Sequence, residues 1–244
     1  MGNVRDFDGQ CCRDHRQFDF LFYALARLDK LEQRSAVMTK ISIVIFDKFT
    51  DVDLFLMWDL LNRVRIADWK VLILGEKDAH VSATGISVNT HGQIEETNDA
   101  NAVLFVSGQG TRERIADENW LKKFSLNPEK QFIGSICSGA LILAKLGLLQ
   151  NKLATTYPTS KTLLESFGVE VVEKPFIANG NVATAGGCLA SQKLCGWVIE
   201  NLAGKYWSDL ILKSIQPVGE GLYFDDEEEI KRLYVAPTTK AIAN

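Results

Sequence analysis

Short apolar runs alternate with amphipathic stretches from residue 41 to about residue 212. Continuous apolar runs bounded by turn residues are typical of strands that are buried on both faces. They predict strands at 41–47, 70–75, 102–106, 132–136, 153–155 and 169–172, and hairpins at 81–88 and 176–184. Helical spacing predicts helices at 51–63, 112–124, 138–145, 160–167 and 188–202. Strands that alternate with helices predict an α/β fold whose mostly parallel sheet is covered on both faces.

The pattern divides the chain into three segments. Residues 1–37 are polar at first, and 18–33 have the spacing of one short amphipathic helix. Because Met38 lies shortly before the first core strand, where such a domain would normally start, we hypothesise that residues 1–37 are either an appendage to the core or an upstream extension from start-codon choice. Residues 38–215 are predicted to form one domain. Residues 216–244 are predicted to be an acidic tail, in which 225–229 is a solvated helix start.

The composition of the chain limits the kinds of molecule that it is expected to bind. The 244 residues carry a net charge of -4, which does not favour binding to nucleic acid or to an anionic membrane. The absence of a long apolar stretch or a signal-like N-terminus predicts a cytoplasmic protein. The cysteines form no C-x-x-C pair and no ligand-like cluster with the three histidines, so we expect reduced thiols and no metal. These cysteines are Cys11, Cys12, Cys137, Cys188 and Cys195.

Cys137 lies between a predicted strand and a predicted helix. In a nucleophile elbow, the residues two before and two after the nucleophile approach each other and must be small. Here they are Ser135 and Gly139. The start of a helix also favours a thiolate. The alternative is a buried cysteine that acts as a small apolar residue, and the spacing alone does not decide between the two.

Two other loops are expected beside Cys137, because reactive groups gather at the carboxyl ends of parallel strands. They are 48–53 and 107–110. Asp53 in the first loop can share a proton with a nearby thiol, in which case the pKa of one of the two groups should rise. Thr50 and Asp53 also have the spacing of a helix cap, so the local sequence favours a cap over a catalytic carboxylate.

The order of these segments resembles the ThiJ/PfpI superfamily, which has a flavodoxin-like, glutamine amidotransferase-like fold. The resemblance covers about 41–212 and is nearest to the isonitrile hydratase-like branch. It rests on six short motifs in the family's order, which are at 46–53, 106–111, 135–144, 147–149, 154–156 and 184–187. It implies a three-layer sandwich with a cysteine nucleophile elbow.

The resemblance also implies roles for individual residues. Cys137 corresponds to the nucleophile, and Asp53 to the acidic residue that approaches the thiol. Ser138 occupies a position where the hydratases have threonine, and its N–H is expected to face the substrate. Gly108 and Gln109 replace part of a Pro-Gly-Gly loop, and the N–H of Gln109 is expected to be the second donor to a developing anion.

The chain departs from the family where a histidine often follows Ala-Thr-Thr. Tyr157 stands there instead, either as a substrate contact or as a packed aromatic. His80 and His91 are predicted to be solvated in the hairpin region, so a Cys–His pair loses support. We expect Cys188 to be a buried residue at a helix start, although it could lie near the pocket, and Cys195 to be core.

By resemblance, the predicted function is cysteine-dependent hydration of an isonitrile to an N-substituted formamide. No cofactor or metal is needed, the partner is a small molecule, and a homodimer is expected. One alternative is a glyoxalase- or deglycase-like enzyme that acts on reactive aldehydes. Another is a non-catalytic redox or stress sensor in which Cys137 is oxidised to a sulfinate.

Overall fold

A computed structural model describes residues 38–235 of the chain. The predicted extension at 1–37, its helix at 18–33, Cys11, Cys12 and the last part of the tail therefore lie outside the described residues. No helix among residues 38–235 is long and apolar enough to cross a membrane.

Eleven strands are described, of which seven form the central sheet in the order β10-β11-β7-β6-β1-β2-β5. Every neighbouring pair in this sheet is parallel except β10 and β11, which are antiparallel. The strands are β1 (Thr39–Val44), β2 (Trp69–Gly75), β3 (Ala79–Val81), β4 (Ser87–Asn89), β5 (Gly92–Gln93), β6 (Ala102–Phe105), β7 (Phe132–Ile136), β8 (Leu153–Ala154), β9 (Glu170–Val171), β10 (Phe176–Asn179) and β11 (Val182–Ala185). The predicted α/β fold with a mostly parallel sheet is confirmed.

Helices flank the sheet. They are α1 (Asp51–Asn62), α2 (Thr111–Ala116), α3 (Glu118–Leu121), α4 (Ala140–Lys145), α5 (Lys161–Ser166), α6 (Ser191–Ala203), α7 (Lys205–Lys213) and α8 (Glu227–Ile230). Short 3-10 helices lead into α4, α5 and α6 at 137–139, 158–160 and 188–190. The central strands β1, β6 and β7 are mostly buried, and most of their side chains are apolar.

The helices differ from the prediction in two places. The helix expected at 112–124 breaks at Asp117, whose carboxylate accepts the N–H of Trp120 and so begins a second helix. Helix α7 was not predicted, although apolar side chains recur with helical spacing at 207, 210 and 211. Gly204, at a φ of 95°, follows the last residue of α6 and redirects the chain into α7.

The predicted boundary of the tail at 216 stays a prediction. Within the tail, α8 contains the acidic run that was expected at a helix start. Leu233 is nevertheless completely buried, and its carbonyl accepts a hydrogen bond from the Arg65 side chain. Lys213 on α7 forms ion pairs with Asp226 at 2.6 Å and with Glu229 at 3.3 Å. The described part of the tail is therefore attached to the domain by one buried side chain and several polar contacts.

Candidate active site

Four loops meet at the carboxyl edge of the sheet. The loops after β1 and β6 are joined because Thr50 N–H donates to Ser107 O at 2.8 Å and Phe49 forms an isolated bridge with Gly108. A Cβ atom at Gly108 would lie 2.1 Å from Lys48 O, so only glycine allows this approach. The loop after β7 begins with Cys137. The fourth loop follows β11, which lies parallel to β7, and contains Cys188.

The elbow has the geometry that its sequence predicts. Cys137 has a φ of 49°, in the left-handed region that few non-glycine residues adopt. A Cβ atom at Gly139 would lie 3.2 Å from the Cβ of Ser135 and 2.9 Å from Val106 O. The two flanking residues therefore do approach each other closely. Cys137 is 3 % exposed, so the turn holds its thiol beneath the surface.

Asp53 lies beside this thiol. It projects from the first turn of α1 and is completely buried. Its Oδ2 accepts hydrogen bonds from the N–H of Ser107 at 3.2 Å and from the Ser107 hydroxyl. Its Oδ1 has no hydrogen-bond partner among the described residues. One carboxylate oxygen of Asp53 and the sulfurs of Cys137 and Cys188 all lie within 4.8 Å of one another.

The alternative of a helix cap is not supported. Thr50 is the N-cap of α1, but its side chain makes no capping hydrogen bond. The carboxylate of Asp53 bonds to Ser107 in the neighbouring loop instead. The preference of the local sequence for a cap was therefore wrong in this respect, because the partner of Asp53 comes from a distant part of the chain.

The electrostatics of the site favour protonated groups. Burial raises the pKa of the Asp53 carboxyl, although the hydrogen bonds from Ser107 oppose this shift. Burial also raises the pKa of the Cys137 thiol, and the charges of Asp53 and Cys188 add to the effect. The expected contribution of the helix start to the thiolate stays a prediction, because burial dominates the shift at Cys137. The expectation that a proton-sharing pair would show a raised pKa agrees with both shifts.

Ser138 connects two of the loops. Its Oγ lies 3.0 Å from Thr111 Oγ1 and accepts the N–H of Gly108 at 3.5 Å. Gln109 is exposed, and its N–H donates to no acceptor among residues 38–235. Tyr157 is 45 % exposed and follows Thr156, whose hydroxyl donates to Cys137 O at 2.8 Å. The predicted residues thus occupy four segments that are joined around the elbow.

Cys188 is the residue whose importance the sequence pattern did not reveal. It begins a 3-10 helix, as expected, but it is only partly buried and its Sγ lies 3.8 Å from Cys137 Sγ. No spacing in the chain indicated a cluster of metal-ligating groups, whereas the structure brings together two thiols and one carboxylate. Cys195 is completely buried in the core, as predicted.

The prediction of a solvated His80 was wrong. His80 is completely buried, and its Nδ1 lies 2.9 Å from Asp47 Oδ1. Asp47 also binds Lys77 at 2.6 Å, and despite the opposing effect of partial burial, hydrogen bonds from Lys77 and His80 lower its pKa to about 2. His91 is exposed, as predicted, and stacks on Trp58. Neither histidine belongs to the cluster of Asp53, Cys137 and Cys188.

Known proteins share this arrangement of segments. A profile of the DJ-1/PfpI family matches residues 39–201. Isonitrile hydratase from Pseudomonas putida is 26% identical over 177 residues, which cover 70% of this chain and 75% of that protein. A deglycase from Pyrococcus abyssi is 30% identical over 149 residues, which cover 58% and 86%.

A crystal structure of a ThiJ/PfpI family protein from Pseudomonas syringae has the same fold. It superposes with a TM-score of 0.67 at 19% sequence identity, and the match covers 81% of this chain and 87% of that one. The family profile extends from the first strand of the sheet to helix α6 and includes all four loops of the site. The chain belongs to the DJ-1/PfpI family.

Proposed function

We propose that the chain is a cysteine-dependent hydratase of small molecules that converts an isonitrile to an N-substituted formamide. One observation supports this proposal more than any other. A completely buried carboxyl with a raised pKa lies within 4.8 Å of the elbow thiol, and one of its oxygens lacks a partner among the described residues. Such a carboxyl keeps its proton to a higher pH than an ordinary aspartate does, and it is suited to deliver that proton to a reacting atom.

The proposed reaction starts at the terminal carbon of the isonitrile. The sulfur of Cys137 forms a bond to this carbon, and a proton held by Asp53 is transferred to the same carbon, which gives a thioimidate. The thiol proton of Cys137 replaces the proton that Asp53 has donated. The raised pKa of Cys137 favours this order, because the thiol loses its proton only as the carbon–sulfur bond forms.

Water then completes the reaction. Its oxygen adds to the thioimidate carbon and the nitrogen takes a proton. The carbon–sulfur bond breaks, and Cys137 regains its proton while the formamide carbonyl forms. The N–H groups of Gln109 and Ser138 are proposed to stabilise negative charge that develops during these steps. Tyr157, whose ring is half exposed, is proposed to contact the substituent on nitrogen.

The experiment measures formamide production from an alkyl isonitrile by proton NMR. We expect turnover by the wild-type protein, none by Cys137→Ala, and a loss of about 100-fold or more in Asp53→Asn, in line with the usual contribution of a general acid. Asp59→Asn is the matched control, because this exposed carboxylate on the same helix pairs with Arg63 and lies outside the cluster. Turnover that survives Cys137→Ala would refute the mechanism.

Similarity to a deglycase favours a second candidate, an enzyme that acts on reactive aldehydes such as methylglyoxal. The same thiol would add to the aldehyde carbon, and Asp53 would again manage the proton. Parallel assays with methylglyoxal and an alkyl isonitrile separate the two activities. If Cys137 turns over neither compound but is oxidised by peroxide, the third candidate, a redox sensor, is favoured instead.

The expected homodimer and cytoplasmic location belong to the same proposal. They rest on the family and on composition, and no contact among the described residues argues for either. Sedimentation equilibrium tests the dimer, and a mass equal to that of one chain would refute it. Fractionation of the native cells tests the location.

A further inference from the structure

Two thiols of the candidate active site lie in contact, and they differ in access. Cys137 Sγ and Cys188 Sγ are 3.8 Å apart, while Cys137 is 3 % exposed and Cys188 is only partly buried. Leu189, the neighbour of Cys188, is 72 % exposed. Cys188 is therefore the outer thiol, which a solute meets first.

We propose that Cys137 and Cys188 form a reversible disulfide when hydrogen peroxide reaches the site. The sulfur of Cys188 attacks one peroxide oxygen, the O–O bond breaks, and the products are a sulfenic acid and hydroxide, which the thiol proton converts to water. The sulfur of Cys137 then attacks the sulfur of Cys188, and the second oxygen leaves as water. Two thiols lose two electrons to one peroxide, which yields one disulfide and two waters.

The local backbone allows the two sulfurs to approach. A disulfide requires a sulfur–sulfur distance of about 2.05 Å, so the gap must close from 3.8 Å. Cys188 follows Gly186 and Gly187, and Gly187 has a φ of 92° with open space where a side chain would lie. Rotation about the side-chain bonds and a small movement at Gly187 close the gap, while Cys137 remains fixed between strand and helix.

The contact between the two sulfurs also determines which oxidation product forms at this pair of cysteines. A sulfinate on Cys137 requires a second peroxide molecule to reach a buried sulfur. The neighbouring thiol is already in contact, so it reacts with a sulfenic acid before a second peroxide molecule arrives. The disulfide does not depend on the proposed hydratase, but its consequence, the reversible blocking of that nucleophile, rests on the proposed function.

The test uses the reduced full-length protein and hydrogen peroxide at one equivalent per chain. After remaining thiols are alkylated, trypsin separates the three relevant cysteines, because Cys137 falls in 131–145, Cys188 in 162–193 and Cys195 in 194–205. We expect a linked pair of the first two peptides, about 2 Da lighter than their sum, that separates on reduction. Cys188→Ser and Cys188→Ala should abolish the pair, and Cys195→Ser should retain it.

The outcomes are distinct. A Cys137 sulfinate beside an alkylatable Cys188, or both thiols free after the peroxide is consumed, would overturn the disulfide. Isonitrile turnover without a linked pair removes this inference and leaves the proposed function in place. A linked pair without turnover on any isonitrile removes the proposed function and leaves the disulfide.

Discussion

Cys137 has a strained backbone conformation at the turn between β7 and the helix that follows. A non-glycine residue in a sparsely populated region costs about 1–3 kcal/mol, and here the surrounding turn enforces it. The contact between Gly139 and Ser135 is part of that turn. The steric pattern of a nucleophile elbow is local, which is why the sequence predicted it.

Replacement of Gly139 by alanine should strain this turn. The added methyl would meet two backbone carbonyls, Val106 O at 2.9 Å and Phe105 O at 3.0 Å, which cannot rotate away. We expect Gly139→Ala to lower the free energy of unfolding by about 1–3 kcal/mol, measured by urea denaturation. Gly134→Ala is the matched control, because its methyl would meet only the tips of Leu194 and Leu104. An equal or smaller loss in Gly139→Ala would contradict this description of the elbow.

At the scale of elements, the sequence predicted where the strands lie along the chain better than it predicted which segments meet in space. Apolar runs located β1, β2, β6 and β7, because burial on both faces leaves a continuous signal. The position of Cys188 depends on the pairing of β11 with β7, which no local pattern reveals. The prediction for His80 failed for a similar reason, because its partner Asp47 follows a different strand.

The composition of the tail predicted a helix start, but it did not predict the contacts that hold this helix against the domain. Its acidic run predicted a solvated helix start, but Lys213 on α7 binds two of its carboxylates. We expect Lys213→Ala to speed amide hydrogen exchange in 222–230, because the ion pairs that hold α8 against α7 are lost. Lys205→Ala is the control, since Lys205 pairs with Asp209 within α7. Unchanged exchange in Lys213→Ala would show that these ion pairs do not hold α8 in place.

For the whole molecule, the buried site should make stability depend on pH. The pKa of Asp53 is raised above its ordinary value of 3.8, so the native protein keeps a proton that the unfolded chain releases. The free energy of unfolding then falls as pH rises above about 3.8. Asp47 acts in the opposite sense, because its pKa is lowered to about 2 and its contribution is lost as pH falls from 3.8 towards that value.

Asp53→Asn should remove the first of these effects. Asparagine keeps an oxygen that can accept the hydrogen bonds from Ser107, but it carries no charge at any pH. We expect the variant to gain stability relative to the wild-type protein as pH rises from 4 to 7, measured by urea denaturation at each pH. A constant difference between the two proteins across this range would mean that the carboxyl is not desolvated in the native state.

The central claim is that the Asp53 carboxyl acts directly on the Cys137 thiol, and the rate of alkylation of Cys137 against pH tests it. The rate is read from peptide 131–145 in the wild-type protein, Asp53→Asn and Asp59→Asn. Loss of the nearby negative charge should lower the pKa of the thiol in Asp53→Asn, which increases the thiolate fraction and so speeds alkylation at a given pH, by about tenfold if the pKa falls by one. Asp59→Asn should match the wild-type protein. Identical profiles for all three proteins would contradict the claim.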